Sequence, residues 1–173
     1  MDLAIEALTP ATLADREDEL VDILVDAVED GASVGFLAPL RRDEARAYWR
    51  SVRDAMADGS RILLVAGAPG QRATGTVQLD LAMRTNGRHR AEVVRLLVHT
   101  SARRHGLGRR LMQEIESRAL ALGRTTLVLD TREDDPSERL YRSLGWVLVG
   151  VIPKYAKSSS GSLDGSAFYY KLL

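Results

Sequence analysis

The chain has 173 residues, 45% hydrophobic and 28% charged, with 24 Lys plus Arg against 24 Asp plus Glu and no cysteine. That size and balance predict one globular domain spanning 1–173 and exclude a disordered or fibrous chain. Zero net charge argues against nucleic acid or an anionic membrane as partner, and the lack of cysteine removes disulfides, thiolate metal sites and a cysteine nucleophile.

No apolar run approaches the roughly 18 residues of a membrane span, and the acidic first twenty residues contain no apolar signal-peptide core. The expectation is a soluble, cytoplasmic protein. Leu3, Ile5 and Ala7 alternate as a short strand, and Thr9-Pro10 reads as an N-cap followed by proline at the first helical position. Leu13, Leu20, Ile23, Leu24, Ala27 and Val28 continue at helical spacing to Gly31, giving one helix. After the loop GASVGFLAP, a second helix runs from about Arg41 to Asp58 and stops at Gly59.

Residues 61 to 67 and 73 to 83 read as strands, and Asn86-Gly87 predicts a hairpin turn into a third strand, 90 to 99. The pattern then changes. Gly106 to Leu122 is helical, 125 to 131 a strand, Pro136 to Leu144 a short helix, and 146 to 152 and 167 to 173 two last strands. Between the last two, KSSSGSLDGS (157 to 166) reads as a flexible loop. Strand, helix, strand at 91 to 131 forms a crossover, which sets a parallel pair beside an antiparallel meander. The fold class is therefore α/β: a mixed, mostly antiparallel seven-stranded sheet flanked by four helices, in the order β-α-α-β-β-β-α-β-α-β-β.

Charge is unevenly spread. From Arg84 to Arg110 there are eight arginines and a single acid, Glu92, so this window carries +7, and it holds all three histidines, His89, His99 and His105. The segment 96–116, LLVHTSARRHGLGRRLMQEIE, has a strand end, a glycine-containing turn and a helix opening at Gly106-Leu107-Gly108. Backbone N–H groups and the positive helix end converge there on an anion-binding concavity, with Arg103, Arg104, Arg109 and Arg110 adding charge. Solvated arginines at an ordinary helix start are the plain alternative.

A P-loop would need Lys-Ser/Thr after Gly108, where Arg109-Arg110 stand. A dinucleotide fingerprint would need a third glycine at Leu111, although Asp130, 22 residues past Gly108, imitates its ribose-binding acid and keeps a nucleotide reading open. Arg103-x-x-Gly106-x-Gly108 instead resembles the acyl-CoA pyrophosphate loop of the GNAT family of N-acetyltransferases, and Leu140-Tyr141 with Gly145-Trp146 resembles that family's Leu-Tyr-x-x-x-Gly-Phe/Trp block. Thr100, Arg104 and Asp134 depart from a common proline, glycine and asparagine. The segments GASVGF, Asn86-Gly87, RAEV, SAR, GLGRRLM and LDT resemble the tabtoxin-resistance branch of the family.

The resemblance implies acetyl-CoA as donor, held in a V-shaped opening between the fourth and fifth strands by Leu96, Leu97, Val98, Arg103, Arg104, His105, Gly106, Leu107, Gly108, Arg109, Ser137 and Tyr141. It assigns the +7 window chiefly to the phosphates of one coenzyme A. It implies acetyl transfer to a small amino-acid-like amine, with a protein or peptide acceptor, or a non-catalytic acyl-CoA module, as alternatives; the chain would act as a monomer or homodimer. An amine of pKa ~10.4 is deprotonated on the order of once per thousand molecules at neutral pH, so a proton acceptor is required. Glu92 is the candidate base, or else a solvent-facing partner of Arg90 or Arg95. Asp130 is a second acid for proton removal or ammonium binding, or else a turn cap. Tyr141 would protonate the departing sulfur. Ser33, Phe36, Asn86, Glu92, Asp130 and Tyr155 are candidates to line the acceptor pocket. The histidines have no metal-ligand spacing, and no metal is expected.

Overall fold

The computed structural model describes residues 4–68 and 70–173; Leu3, predicted to open the first strand, lies outside them. The strand β1 (Ala4–Ala7) leads into α1 (Pro10–Asp15) and α2 (Glu17–Glu29), followed by α3 (Arg42–Ala57), β2 (Arg61–Gly67), β3 (Gly75–Leu81), β4 (Arg90–Val98), α4 (Leu107–Ala121), β5 (Thr126–Arg132), α5 (Ser137–Ser143), β6 (Val147–Lys157) and β7 (Leu163–Leu172). The seven strands form one sheet in the order β1-β2-β3-β4-β5-β7-β6, in which β4 and β5 are the parallel pair and every other pairing is antiparallel. Fold class and crossover are as expected.

Four local readings need correction. The first predicted helix is two, because the chain breaks at Arg16 (φ −112°, ψ 13°), whose guanidinium turns back to Glu6 and to Glu19 at 2.9 Å. Apolar spacing runs unbroken through that point, so periodicity could not show it. Asn86-Gly87 makes a single turn of 3-10 helix over Thr85–Gly87 rather than a two-residue hairpin turn. The serine-rich stretch is mostly strand, with β6 reaching Lys157 and β7 starting at Leu163, so the free tip is only 158–162. Among the described residues the break at Arg16 gives five α-helices, not four.

Two apolar layers fix the helices to the sheet. On one face Leu13, Leu20, Leu24, Ala45 and Trp49 from α1, α2 and α3 bury against Leu63, Val65 and Leu97. On the other, Leu107, Leu111, Met112 and Ile115 of α4 and Tyr141 of α5 bury against Leu64, Val77, Leu79, Leu127 and Tyr169. Alternate strand residues thus serve opposite layers. The N-terminal turn of α4 seats on β3 at Gly75, where a Cβ would stand 3.0 Å from both Leu107 and Leu111.

Beside the widening gap between β4 and β5, alternation fails in β4. Thr76 pairs with Leu97 but Gln78 pairs with Val94, so Arg95 and Leu96 together oppose Val77, and Arg95 takes φ +54°. This is a β-bulge, which bends a strand and shifts its facing by one residue. Before it Ala91 and Val93 face α4; after it Leu96 and Val98 do, and Leu97 turns to the other layer. The ladder between β4 and β5 stops at Glu92–Val128, and from there the strands separate.

Candidate active site

The separation of β4 from β5 opens a cavity of about 730 Å³ lined by Leu96, Leu97, Val98, Arg103, Arg104, Gly106, Leu107, Gly108, Arg109 and Ser137, ten of the twelve positions expected to hold the donor. The volume lies within the range of small-molecule sites. His105 and Tyr141 are not in the lining. Ala27, Asp30, Gly31, Ala32 and Arg132 close the cavity from the side of α2 and β5. They carry no motif that sequence alone could have singled out.

The helix end at the cavity is prepared for an anion. Gly106 is the N-cap of α4 with φ +77°, a left-handed conformation that glycine adopts without strain, and no side chain caps the helix. The Arg110 N–H bonds Gly106 O at 3.2 Å, leaving the N–H groups of the first turn before it without intrahelical acceptors. A Cβ on Gly108 would point at Leu140, Val98 and Leu96 from 3.5 to 4.0 Å, so the space of the cradle is the side chain this residue lacks. The surface is chemically suited to an acyl-CoA, since unbonded N–H groups and a nearby arginine suit phosphates and an open strand edge suits a pantetheine arm.

The arginines divide into two groups. Arg103 is committed to structure, with Nε on Val98 O at 3.0 Å and its fork on Asp30, while Arg109 reaches Ser143 Oγ at 2.7 Å. Arg104 lines the cavity from a backbone at φ +65°. Arg84, Arg88 and Arg90 lie at the far end of β4, roughly 26 Å from Val98 at the rise of a strand. The +7 window is therefore not gathered at one place: β4 separates its charge into two patches, and Arg103, Arg104 and Arg109 of one of them line the cavity.

On the opposite face of the sheet lie the acids. Arg61, Asp80, Glu92 and Val128 are consecutive cross-strand neighbours on β2, β3, β4 and β5. Arg61 pairs with Asp80 at 2.7 Å and donates to the buried Gln78 at 2.8 Å, whose amide donates to Tyr48 Oη at 2.9 Å. That leaves Glu92 as the acid without an ion-pair partner. Burial, and then the charges of Asp130 and Asp80, push its carboxyl above the ordinary value against the opposing pull of Arg61 and Arg95. Asp130 is exposed and accepts a hydrogen bond from Ser166 Oγ at 2.7 Å. Sequence reasoning missed Asp80, Arg61 and Tyr48, since only the strand register brings them beside Glu92.

Tyr141 stands behind the cavity wall, its ring 6.3 Å from Trp146 and 6.1 Å from Tyr169. Burial drives its hydroxyl pKa upward, partly offset by the Ser137 hydroxyl, which itself lines the cavity and contacts Thr131 Oγ1 at 3.0 Å. The neighbouring Glu138 is buried among Tyr169, Arg142 and the Asp134 N–H, and holds α5 to β7.

Over the acceptor side, the loop 31–38 meets the β6–β7 tip. Ser33 and Phe36 face Lys157, Ser158 and Ser159; Ala38 N donates to Ser159 Oγ at 2.9 Å, and Arg132 donates to Gly31 O at 3.1 Å. Tyr155 stacks edge-on against Phe168, the cross-strand neighbour of Asp130. Asn86 is exposed in the 3-10 turn before β4 and is not among the residues that meet at this arch. Among the described residues, no group of three or more His, Cys, Asp or Glu is placed to hold a metal ion, and no helix is long and apolar enough to cross a membrane.

A phosphate-accepting helix end on one side of a splayed strand pair, with acids gathered on the other, is the arrangement of an enzyme that presents an acyl-CoA to a nucleophile. The chain belongs to the acetyltransferase (GNAT) family, whose profile matches residues 6–146. An uncharacterized N-acetyltransferase in the hisH-hisA intergenic region of Azospirillum brasilense is 36% identical over 134 residues, 76% of this chain and 77% of that protein. The fold is shared with the ribosomal-protein-alanine N-acetyltransferase of Brucella melitensis (TM-score 0.79, 25% identity, covering 98% and 99% of the two chains). It is also shared with a phosphinothricin acetyltransferase of Sinorhizobium meliloti solved with acetyl-CoA (TM-score 0.79, 21% identity, covering 100% and 89%).

Proposed function

We propose that this acetyltransferase moves the acetyl group of acetyl-CoA directly to the amine of a small, amino-acid-like molecule. The observation that carries the acceptor class is the arch formed by the loop 31–38 and the β6–β7 tip, bonded through Ala38 and Ser159 over the side of the sheet that holds Glu92 and Asp130. A peptide needs an open groove to lie in, and this contact crosses it. The phosphinothricin acetyltransferase likeness agrees with an amino-acid-like acceptor, though it lies in fold rather than close sequence.

When bound, acetyl-CoA supplies an acetyl group activated as a thioester. The N–H groups opening α4, with Arg104 and Arg109, would hold its phosphates, and the edge of β4 beyond the bulge would hold the pantetheine arm. Glu92 Oε takes the proton that the acceptor ammonium must lose, through water if the distance requires, and Asp130 fixes the ammonium beside it. Tyr141, kept protonated by burial, returns a proton to the sulfur side through or beside Ser137. Each such proton transfer is typically worth about 10² to 10⁴ in rate.

The test follows free thiol while the protein is offered acetyl-CoA with free amino acids, simple amines and short peptides. Rapid thiol release with the small amines supports the reading. Preference for peptides would make the chain a protein N-acetyltransferase, and tight acetyl-CoA binding with no release on any amine would make it a non-catalytic module.

A further inference from the structure

We infer that Arg95 reads an anionic group on the acceptor, so that the amine delivered to Glu92 belongs to a molecule that also carries a carboxylate. This rests on the acetyltransferase reading above and narrows its substrate class. Arg95 is the bulge residue of β4, three positions after Glu92. Its guanidinium carbon lies 5.4 Å from the centroid of the Tyr48 ring, and Tyr48 meets Phe36 edge-on at 5.5 Å. Gly35 leaves the guanidinium room, since a Cβ there would stand 3.0 Å from Nη2.

What sets this residue apart from the other partly buried arginines is that its guanidinium has neither a counter-ion nor a hydrogen bond among the described residues. Arg16, Arg42, Arg46, Arg61, Arg72 and Arg103 each face a carboxylate. Among the described residues the Arg95 guanidinium makes no hydrogen bond and no ion pair, and its Nε is buried without an acceptor. A partly buried charge left in that state is costly, and the cation–π contact with Tyr48 offsets it only in part. Glu92 is near enough for the two charges to influence each other, yet the two are not paired. An ion pair between them would withdraw the carboxylate from the amine.

The acceptor side is thus polarised along β4, with Glu92 at the end that takes an ammonium and Arg95, under the arch of Gly35 and Phe36, at the other. Three strand residues span roughly 10 Å, a gap that two inward-reaching side chains close onto a molecule of amino-acid size. A guanidinium fork suits a carboxylate, to which it can donate two parallel hydrogen bonds.

The test compares free L-amino acids with their carboxamides and their decarboxylated amines as acceptors, by thiol release and, separately, by calorimetric binding to the protein. The expected result is a preference for the free acid on the order of 10²-fold in kcat/KM. Arg95→Gln should erase that preference, chiefly through KM, and Arg95→Lys should recover part of it. Equal turnover of acids and amides by the parent, or a preference that survives Arg95→Gln in protein with an unchanged melting profile, overturns the proposal while leaving acetyl transfer intact. Amino-acid binding that depends on Arg95, without thiol release, would uphold Arg95 and remove the enzymatic reading. Neither turnover nor Arg95-dependent binding would remove both.

Discussion

Glu92 and Asp130 stand on the same face of the sheet, on the two strands that separate just beyond Glu92, and Asp130 raises the pKa of Glu92. Burial is the larger cause, and Asp80 adds to it. Glu92 accepts a proton only when ionised, so kcat/KM should rise with pH through a limb above the ordinary glutamate value of 4.5. Asp130→Asn removes one like charge and should move that limb to lower pH; Glu92→Gln should abolish it and lower kcat by about 10² to 10⁴. A pH–rate profile in which Asp130→Asn leaves the limb in place would separate the two acids.

The same shift fixes a stability effect of the opposite sign to the activity loss. A carboxyl whose folded-state pKa is raised binds its proton more tightly in the folded than in the unfolded chain, so its stabilising share is present below about 4.5 and is lost as pH rises through the folded value. At neutral pH Glu92→Gln should therefore melt no lower than the parent even as turnover collapses. Thermal melts at pH 7 check this, and a clear loss of stability would make Glu92 a structural residue.

Tyr141 does not line the donor cavity, but Ser137, whose hydroxyl eases its ionisation, does. If protons pass between these groups, Tyr141→Phe and Ser137→Ala should each lower thiol release, by about 10² for Tyr141, and the double variant should lose little more than Tyr141→Phe alone. Single-turnover rates on the three variants decide it. Unchanged turnover of Tyr141→Phe near neutral pH would leave the ring as packing against Trp146 and Tyr169.

Arg104 carries two opposed effects. Its φ of +65° is a conformation that glycine adopts freely and other L-residues reach at a cost of roughly 1–2 kcal/mol, and its side chain borders the cavity. Arg104→Gly should relieve that strain at a similar entropic cost to the folded chain, leaving the melting temperature nearly unchanged or slightly raised, while KM for acetyl-CoA increases several-fold and loses part of its salt dependence. Calorimetric titration with coenzyme A at two salt concentrations measures the second effect. An unaltered KM would confine Arg104 to the turn.

What sequence made legible follows from how local each signal is. The strand, turn and helix around Gly106 and Gly108 are contiguous, so loop, charge and cavity lining could be read together, and nine of the expected donor positions that line the cavity lie in that segment, with Ser137 on α5 the tenth. Arg95 and Asp80 were not legible because their meaning depends on register: a bulge two residues wide on β4 and a cross-strand neighbour on β3. Ser158 to Ser162 read as part of a longer loop because the serines and glycines around them offer no apolar alternation to mark the ends of β6 and β7, which are held by cross-strand pairing. The break at Arg16 was hidden by apolar spacing that both helices share.

Glu138 anchors α5. It accepts from the Tyr169 hydroxyl, from Arg142 at 3.0 Å and from the Asp134 N–H at 2.8 Å, and so ties α5 to β7 and to the turn before the helix. Burial opposes its ionisation, but these donors together outweigh burial and hold its pKa below the ordinary value. A lowered folded-state pKa gives stability that is complete above about 4.5 and is lost as pH falls through the folded value. Glu138→Gln keeps the shape but turns one acceptor into a donor facing Tyr169, and should cost about 1–3 kcal/mol at neutral pH. For a chain of this length that is a fall of several degrees in Tm. The gap between variant and parent should narrow as the pH drops below 4.5, where the parent carboxylate is itself being neutralised. Melts taken from pH 7 down to pH 3 test the trend, and a gap that stays constant across that range would show that packing of the residue, not its charge, stabilises α5.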